Sequence, residues 1–225
     1  MKLPFTIDQF LQVFKNYNQS IFPLQIFFYL LAFTIVFLSV KRIIATDVII
    51  NSILAFFWLW MGLVYNILFF TTINQAAYLF GGIFILQGIL LLYYGVIRKK
   101  LSYQFQSDRF GLIGSLLIVY ALIIYPLLGY FAGHSFPSSP TFGVPCPTTI
   151  FTFGIFLWSS KKMPWMILII PFFWSIVGFT AAFKLGIWED SGLFLAGVLS
   201  TGILLLRKYT GSPRGTSIKL LFIGL

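Results

Sequence analysis

The chain has 225 residues, of which 59% are hydrophobic and 9% charged, and its formal net charge is +10. A soluble surface cannot be covered with so little polar material, because globular chains are about a quarter charged, and so a soluble domain is excluded. The positive charges fall in short clusters beside apolar runs, which orients membrane proteins and attracts anionic lipid headgroups, and no basic stretch interleaved with exposed aromatics offers a nucleic-acid surface. Residues 4–19 (PFTIDQFLQVFKNYNQ) read as a short amphipathic helix. Thr6 is the expected N-cap, with Gln9 at the spacing of a capping box. Ile7, Phe10, Leu11 and Phe14 fall on one face, and Asp8, Gln12, Lys15 and Asn16 on the other. Such a helix is expected to lie flat in the membrane interface; covering the mouth of a helical bundle is the alternative. These first residues lack a basic stretch followed by an apolar one, so no cleavable signal is expected.

Transmembrane segments are predicted at about 21–40, 48–70, 76–97, 110–132, 163–183 and 191–206. Basic clusters follow at Lys41 and Arg42, at Arg98 to Lys100 and at Lys161 and Lys162. Residues 207–225 form a basic tail. A shorter apolar run at 148–158 lies behind a Pro-rich stretch that carries the only histidine, His134, and the only cysteine, Cys146. Its eleven residues of helix rise about 16 Å, against a hydrocarbon core of about 30 Å.

Charge decides its parity. If the run crosses, twelve of the fifteen basic residues lie inside and only Lys2, Lys15 and Lys184 outside. If it does not, seven lie inside and eight outside. The positive-inside bias favours crossing. Extended chain can supply the missing length, since four residues at about 3.3 Å each add about 13 Å, and the prolines oppose helix there. The prediction is therefore a broken segment over 140–158, extended in its outer half and helical from near Pro147. Irregular backbone at membrane depth must be enclosed by protein or line a cavity, so the other helices are expected to wrap it. The fold class that follows is an all-α integral membrane protein, one domain with seven transmembrane segments, N-terminus outside and C-terminus cytoplasmic.

On this topology polar residues gather toward the outer side. Asn66, Asn74 and Gln75 surround the second loop, and Gln87 and Gln25 lie in the outer parts of their spans. His134 and Cys146 belong to the Pro-rich stretch, and Glu189 and Asp190 precede the last span. Polar groups in lipid need partners or water, so the cluster points to an outward pocket or to a wet interface. The first amides of the helix near Pro147, Thr148 and Thr149 have no intrahelical partners and could face an anionic or strongly polar group, unless a threonine hydroxyl caps them. A metal would need His134, Cys146 and an acid together, and Cys–His nucleophilic catalysis would need that pair in contact with an oxyanion hole; no ligand spacing supports either. One cysteine excludes an internal disulfide. Small residues mark expected close approaches at Gly129 and Gly133, at Gly178 and Ala182, and at Gly192, Ala196 and Ser200. Pro126 and Pro171 are expected to kink their helices.

The stretches FKNYNQSIFPLQ, INQAAYLFGG, YPLLGYFAGH and above all PTFGVPCPTTIFTFG resemble a family of uncharacterised bacterial multi-pass membrane proteins, classed as a domain of unknown function. The resemblance covers most of the chain. It implies an inner-membrane location and assigns no activity, cofactor or residue role. The chain departs from that pattern at Asn66, where the family has a histidine, and by one residue fewer before Pro145. The expected function is binding or passage of a small polar or anionic solute in an outward pocket. A membrane enzyme or metal-binding protein using His134 and Cys146, and an accessory subunit that docks a partner, are the alternatives.

Overall fold

The computed structural model describes residues 4–209. These form eight helical segments: α1 (Ile7–Ile21), α2 (Leu24–Val40), α3 (Thr46–Thr72), α4 (Ala77–Ile97), α5 (Arg109–Phe131), α6 (Pro145–Leu157), α7 (Met166–Leu185) and α8 (Ser191–Tyr209). Five of them, α3, α4, α5, α7 and α8 with its preceding turn, are long and apolar enough to cross a membrane. The bent pair α1 and α2 passes that test only when joined. The expected tail beyond residue 209 lies outside the described residues.

The capping box is present: Thr6 Oγ1 accepts from Gln9 N, and Gln9 Oε1 accepts from Thr6 N at 2.9 Å. The helix runs on to Ile21, then bends by 86° into α2. Its apolar face is turned to the bundle. Val13, Phe14 and Tyr17 are buried against Tyr65, Phe70 and Ala77 at the end of α3 and the start of α4. The alternative, a helix over the mouth of the bundle, is the observed arrangement. Its polar face explains this orientation less than its aromatic face does, because Phe5, Phe10 and Phe14 meet rings of α3 at 5.5 to 5.9 Å, an edge-to-face and stacked geometry that adds to area burial.

At the centre stands α6. Every residue from Pro147 to Leu157, and Pro145, is buried among α5, α7 and α8. It starts at Pro145, two residues before the predicted position, because Pro145 and Pro147 occupy first-turn positions where a missing amide hydrogen costs nothing. The stretch ahead of it is a set of turns rather than straight extended chain: Val144 N donates to Thr141 O at 3.2 Å, and Gly143 has φ +105°. A side chain at Gly143 would also run into the Phe28 ring. The loop's carbonyls are satisfied by protein. Asn18, fully buried at the end of α1, donates to Pro137 O (2.7 Å) and Ser139 O (2.8 Å) and accepts from Thr141 Oγ1 (2.7 Å). Gln25 Nε2 donates to Asn18 O at 2.9 Å.

Helix backbones meet at glycines other than those expected, although the expected Gly192 does face α5, where a Cβ would run into the Tyr120 ring. A Cβ on Gly114 of α5 would lie 2.7 Å from Gly154 O of α6, and one on Gly154 would lie 2.8 Å from Gly114 O. Gly62 of α3 and Gly81 of α4 form a second such pair, at 2.8 and 3.0 Å. Gly133 instead ends α5 with φ +88° and meets nothing, whereas Gly178 does face α8, at Leu193. Pro126 follows a π-helical stretch, Tyr120–Ile124, inside α5, the local adjustment that a missing proline amide favours. Gln87 Nε2 donates to Ile167 O at 3.0 Å, the carbonyl that the absent amide hydrogen of Pro171 would have served.

One end of the bundle gathers the basic clusters. The connection 101–108 has Leu101, Ser102 and Tyr103 buried, with Tyr103 in an antiparallel bridge to Ser159. Gln104 N donates to Trp158 O and Phe105 N to Ser39 O, both at 2.9 Å. Arg42 pairs with Asp47 at 3.0 Å and donates to Tyr103 O at 2.8 Å. Burial, with Asp47 nearby, pushes the Tyr103 phenol up, so its hydroxyl stays a donor to Asn51 Oδ1 at 3.1 Å. These bonds tie the C-terminal ends of α2 and α6 to one face. Arg207 of α8 joins them through the Leu157 carbonyl, at 3.5 Å.

Candidate functional site

The opposite end holds a cavity of about 160 Å³ between α1, α3, α7 and the start of α6. Its walls are aromatic: Phe5, Phe10 and Phe14 from the α1 region, Tyr65 and Phe70 from α3, Phe80 from α4 and Trp174 from α7. Thr180 and Lys184 are exposed at its rim, and Cys146 and Asp190 form its polar floor. An apolar cavity of about 150 Å³ accommodates a benzene ring, so the space is that of one small organic molecule.

The floor is built by a turn. Gly186 stops α7 in a left-handed conformation with φ +73°, and Ile187 N donates back to Ala182 O at 3.0 Å, the pattern of a Schellman stop. A single 3₁₀ turn, Trp188–Asp190, then leads into α8. It carries two acids inward: Glu189 is 1% exposed and Asp190 4%. Carboxylates at that depth need partners, and each has one. His134 Nδ1 lies 2.8 Å from Glu189 Oε1; with a carboxylate as acceptor, Nδ1 is the nitrogen that carries the proton. Tyr120 OH donates to the Glu189 carbonyl at 2.6 Å. Tyr125 OH donates to Asp190 Oδ1 at 2.6 Å, and the Cys146 thiol lies beside the same carboxylate. Gly129 of α5 permits this, since a Cβ there would sit 3.3 Å from Glu189 Oε1.

Two polar atoms remain without partners here. Trp174, 6% exposed, lines the cavity with its Nε1 near the Cys146 sulfur, but in hydrogen-bond geometry with neither it nor any other acceptor. Glu189 Oε2 is likewise unpaired.

Of the residues singled out in the sequence, Cys146, Asp190 and Asn74 line the cavity, and His134 and Glu189 form the adjoining pair. The others lie elsewhere. Gln75 is exposed on the α3–α4 turn. Asn66 is buried in the π-helical part of α3, where Nδ2 donates to Met61 O at 2.8 Å. Gln87 bridges α4 to α7 as described. Thr148 does not cap the first amides of its own helix; its Oγ1 accepts from Gly143 N at 3.0 Å and closes the loop ahead. Thr149 Oγ1 is buried without a partner. The start of α6 is also a poor anion site. Pro145 and Pro147 have no amide hydrogen, Thr148 N already bonds Val144 O, and a carboxylate stands beside Cys146.

Among the described residues no three of His, Cys, Asp and Glu converge as metal ligands would. His134 and Cys146 face different carboxylates, so they do not form a nucleophile–base pair either. Sequence reasoning missed Tyr125, Tyr120 and Trp174, which complete the floor. No signal in the sequence separates them from the many other aromatics of the apolar runs.

No curated protein and no solved structure matches the chain significantly. A family model does match, over residues 7–214, which takes in α1, the whole bundle and the cavity floor. The chain therefore belongs to DUF6064, a family of unknown function.

Proposed function

We propose that the protein is a seven-crossing inner-membrane protein whose aromatic cavity opens on the outer side and binds a small, largely apolar solute. The observation that carries this reading is the cavity itself, walled by rings from four elements and floored by Cys146 and Asp190. The seven crossings are the five long helices, α2, and the broken segment ending in α6. The shared basic end of α2, α6 and α8 supports that parity, and the positive-inside bias makes this end cytoplasmic and places it against anionic headgroups. The lining favours an apolar body over the polar or anionic solute expected from the sequence, because rings outnumber polar groups and the deepest charge is a carboxylate. No residue set on the floor has the geometry of a catalytic group, so binding is the reading rather than turnover.

Cys146 is the only thiol, which makes the test direct. An impermeant maleimide applied to intact cells labels Cys146 from outside, and toluene at increasing concentration slows the labelling. Labelling only from the cytoplasmic face would overturn the orientation. Labelling that toluene does not slow, or no labelling from either face, would remove the cavity.

A further inference from the structure

We infer that the cavity selects a ligand whose single polar group both donates and accepts a hydrogen bond, a small aromatic alcohol being the simplest member of the class. The inference rests on the binding reading above and adds the identity of the head group.

Three features of the floor carry it. Asp190 is nine-tenths buried and directs a carboxylate at the cavity, with Oδ1 fixed by Tyr125 OH at 2.6 Å. Trp174 is equally buried, its ring lines the same cavity, and its indole N–H is near the Cys146 sulfur, a weak acceptor, but in hydrogen-bond geometry with no acceptor. Cys146 lies between them in contact with both. A buried donor without a partner is costly, and here it sits in a space large enough for a ring. The walls that surround the floor, Phe10, Phe14 and Phe70 among them, offer faces and edges to an apolar body, with the Tyr65 hydroxyl as a further polar group near Cys146 and Asp190.

Complementarity then orders the candidate head groups. A carboxylate would place like charge beside Asp190. An ammonium would satisfy Asp190 and leave the indole N–H unmet, since it has no lone pair to offer. A hydroxyl gives its hydrogen to Asp190 and its lone pair to Trp174. A hydrocarbon of the same size fills the walls but leaves both floor groups as they are.

The test uses the full-length protein in detergent and reads the concentration of each probe that halves the rate of Cys146 alkylation. Benzyl alcohol is expected to act at a concentration about tenfold or more below toluene, the ratio that two net hydrogen bonds give, and benzoate is expected to act least. Trp174→Phe keeps a ring in the wall; it should bring benzyl alcohol close to toluene while the toluene value stays put. Equal potency of toluene and benzyl alcohol in the native protein would overturn the head-group inference and leave the cavity reading standing. Benzylamine acting at lower concentration than benzyl alcohol would overturn it in favour of a cation. Protection by none of the four, toluene included, would overturn both readings.

Discussion

Gln87 and Pro171 sit on different helices and share one carbonyl, and this makes a measurable coupling. Pro171 cannot donate to Ile167 O, and Gln87 Nε2 does so from α4 at 3.0 Å, fully buried. In Gln87→Leu the volume is nearly kept and the donor lost, leaving a buried carbonyl short of a partner. Interhelical hydrogen bonds in membrane proteins contribute about 0.6 kcal/mol on average and up to about 1.7. Gln87 Oε1 is itself buried without a partner, and removing it offsets part of that loss. The net cost of Gln87→Leu is therefore about 0.5–1 kcal/mol. Pro171→Ala restores an amide hydrogen that can serve Ile167 O from within α7. In that background Gln87→Leu removes only the unpaired Oε1, and its cost falls to zero or becomes a small gain. The difference between the two backgrounds, about 1 kcal/mol, is the quantity to measure, by reversible unfolding of the four proteins in mixed micelles or bicelles. Equal cost in both backgrounds would show that the two residues do not share the carbonyl energetically, and the account of how α7 carries its internal proline would fail.

Two other expectations concern packing and charge. Gly114→Ala should destabilise by about 1–3 kcal/mol, because its Cβ would meet the backbone of Gly154, while Gly82→Ala, with nothing within 4 Å, should be neutral or stabilising through helix propensity; the same unfolding assay distinguishes them. His134→Ala leaves Glu189 buried and unpaired and should cost about 3–5 kcal/mol, most of it regained in the double variant with Glu189→Gln, in which the remaining group is neutral.

Much of the architecture was legible because it follows from local chemistry or from counting. The Thr6–Gln9 box is a spacing rule. The short helix behind the Pro-rich stretch follows from an apolar run bounded by prolines on one side and Lys161 and Lys162 on the other. The glycine crossings were not legible, since Gly62–Gly81 and Gly114–Gly154 each join two helices and a spacing within one helix cannot name its partner. The connection 101–108 is polar in composition, and its burial comes from backbone bonds to Ser39 and Trp158 that leave no trace there. At the site, Cys146 and the two acids stood out as rare residue types. Tyr125 and Trp174 did not, because an aromatic in an apolar run is ordinary, and only the turn at Gly186 reveals that Asp190 reaches them.

The enclosure of α6 bears on how such a chain is made. Thirteen residues of helix span about 20 Å, and Thr148, Thr149 and Thr152 lie among them with a loop of turns ahead. Such a segment has no resting place in lipid by itself, because its loop would expose backbone groups to hydrocarbon. Two of the helices that shelter it, α7 and α8, are synthesised later. On the proposed topology the centre of the molecule is therefore the last part to reach its final surroundings, and a chain cut short before α8 would hold its most buried helix with one wall missing.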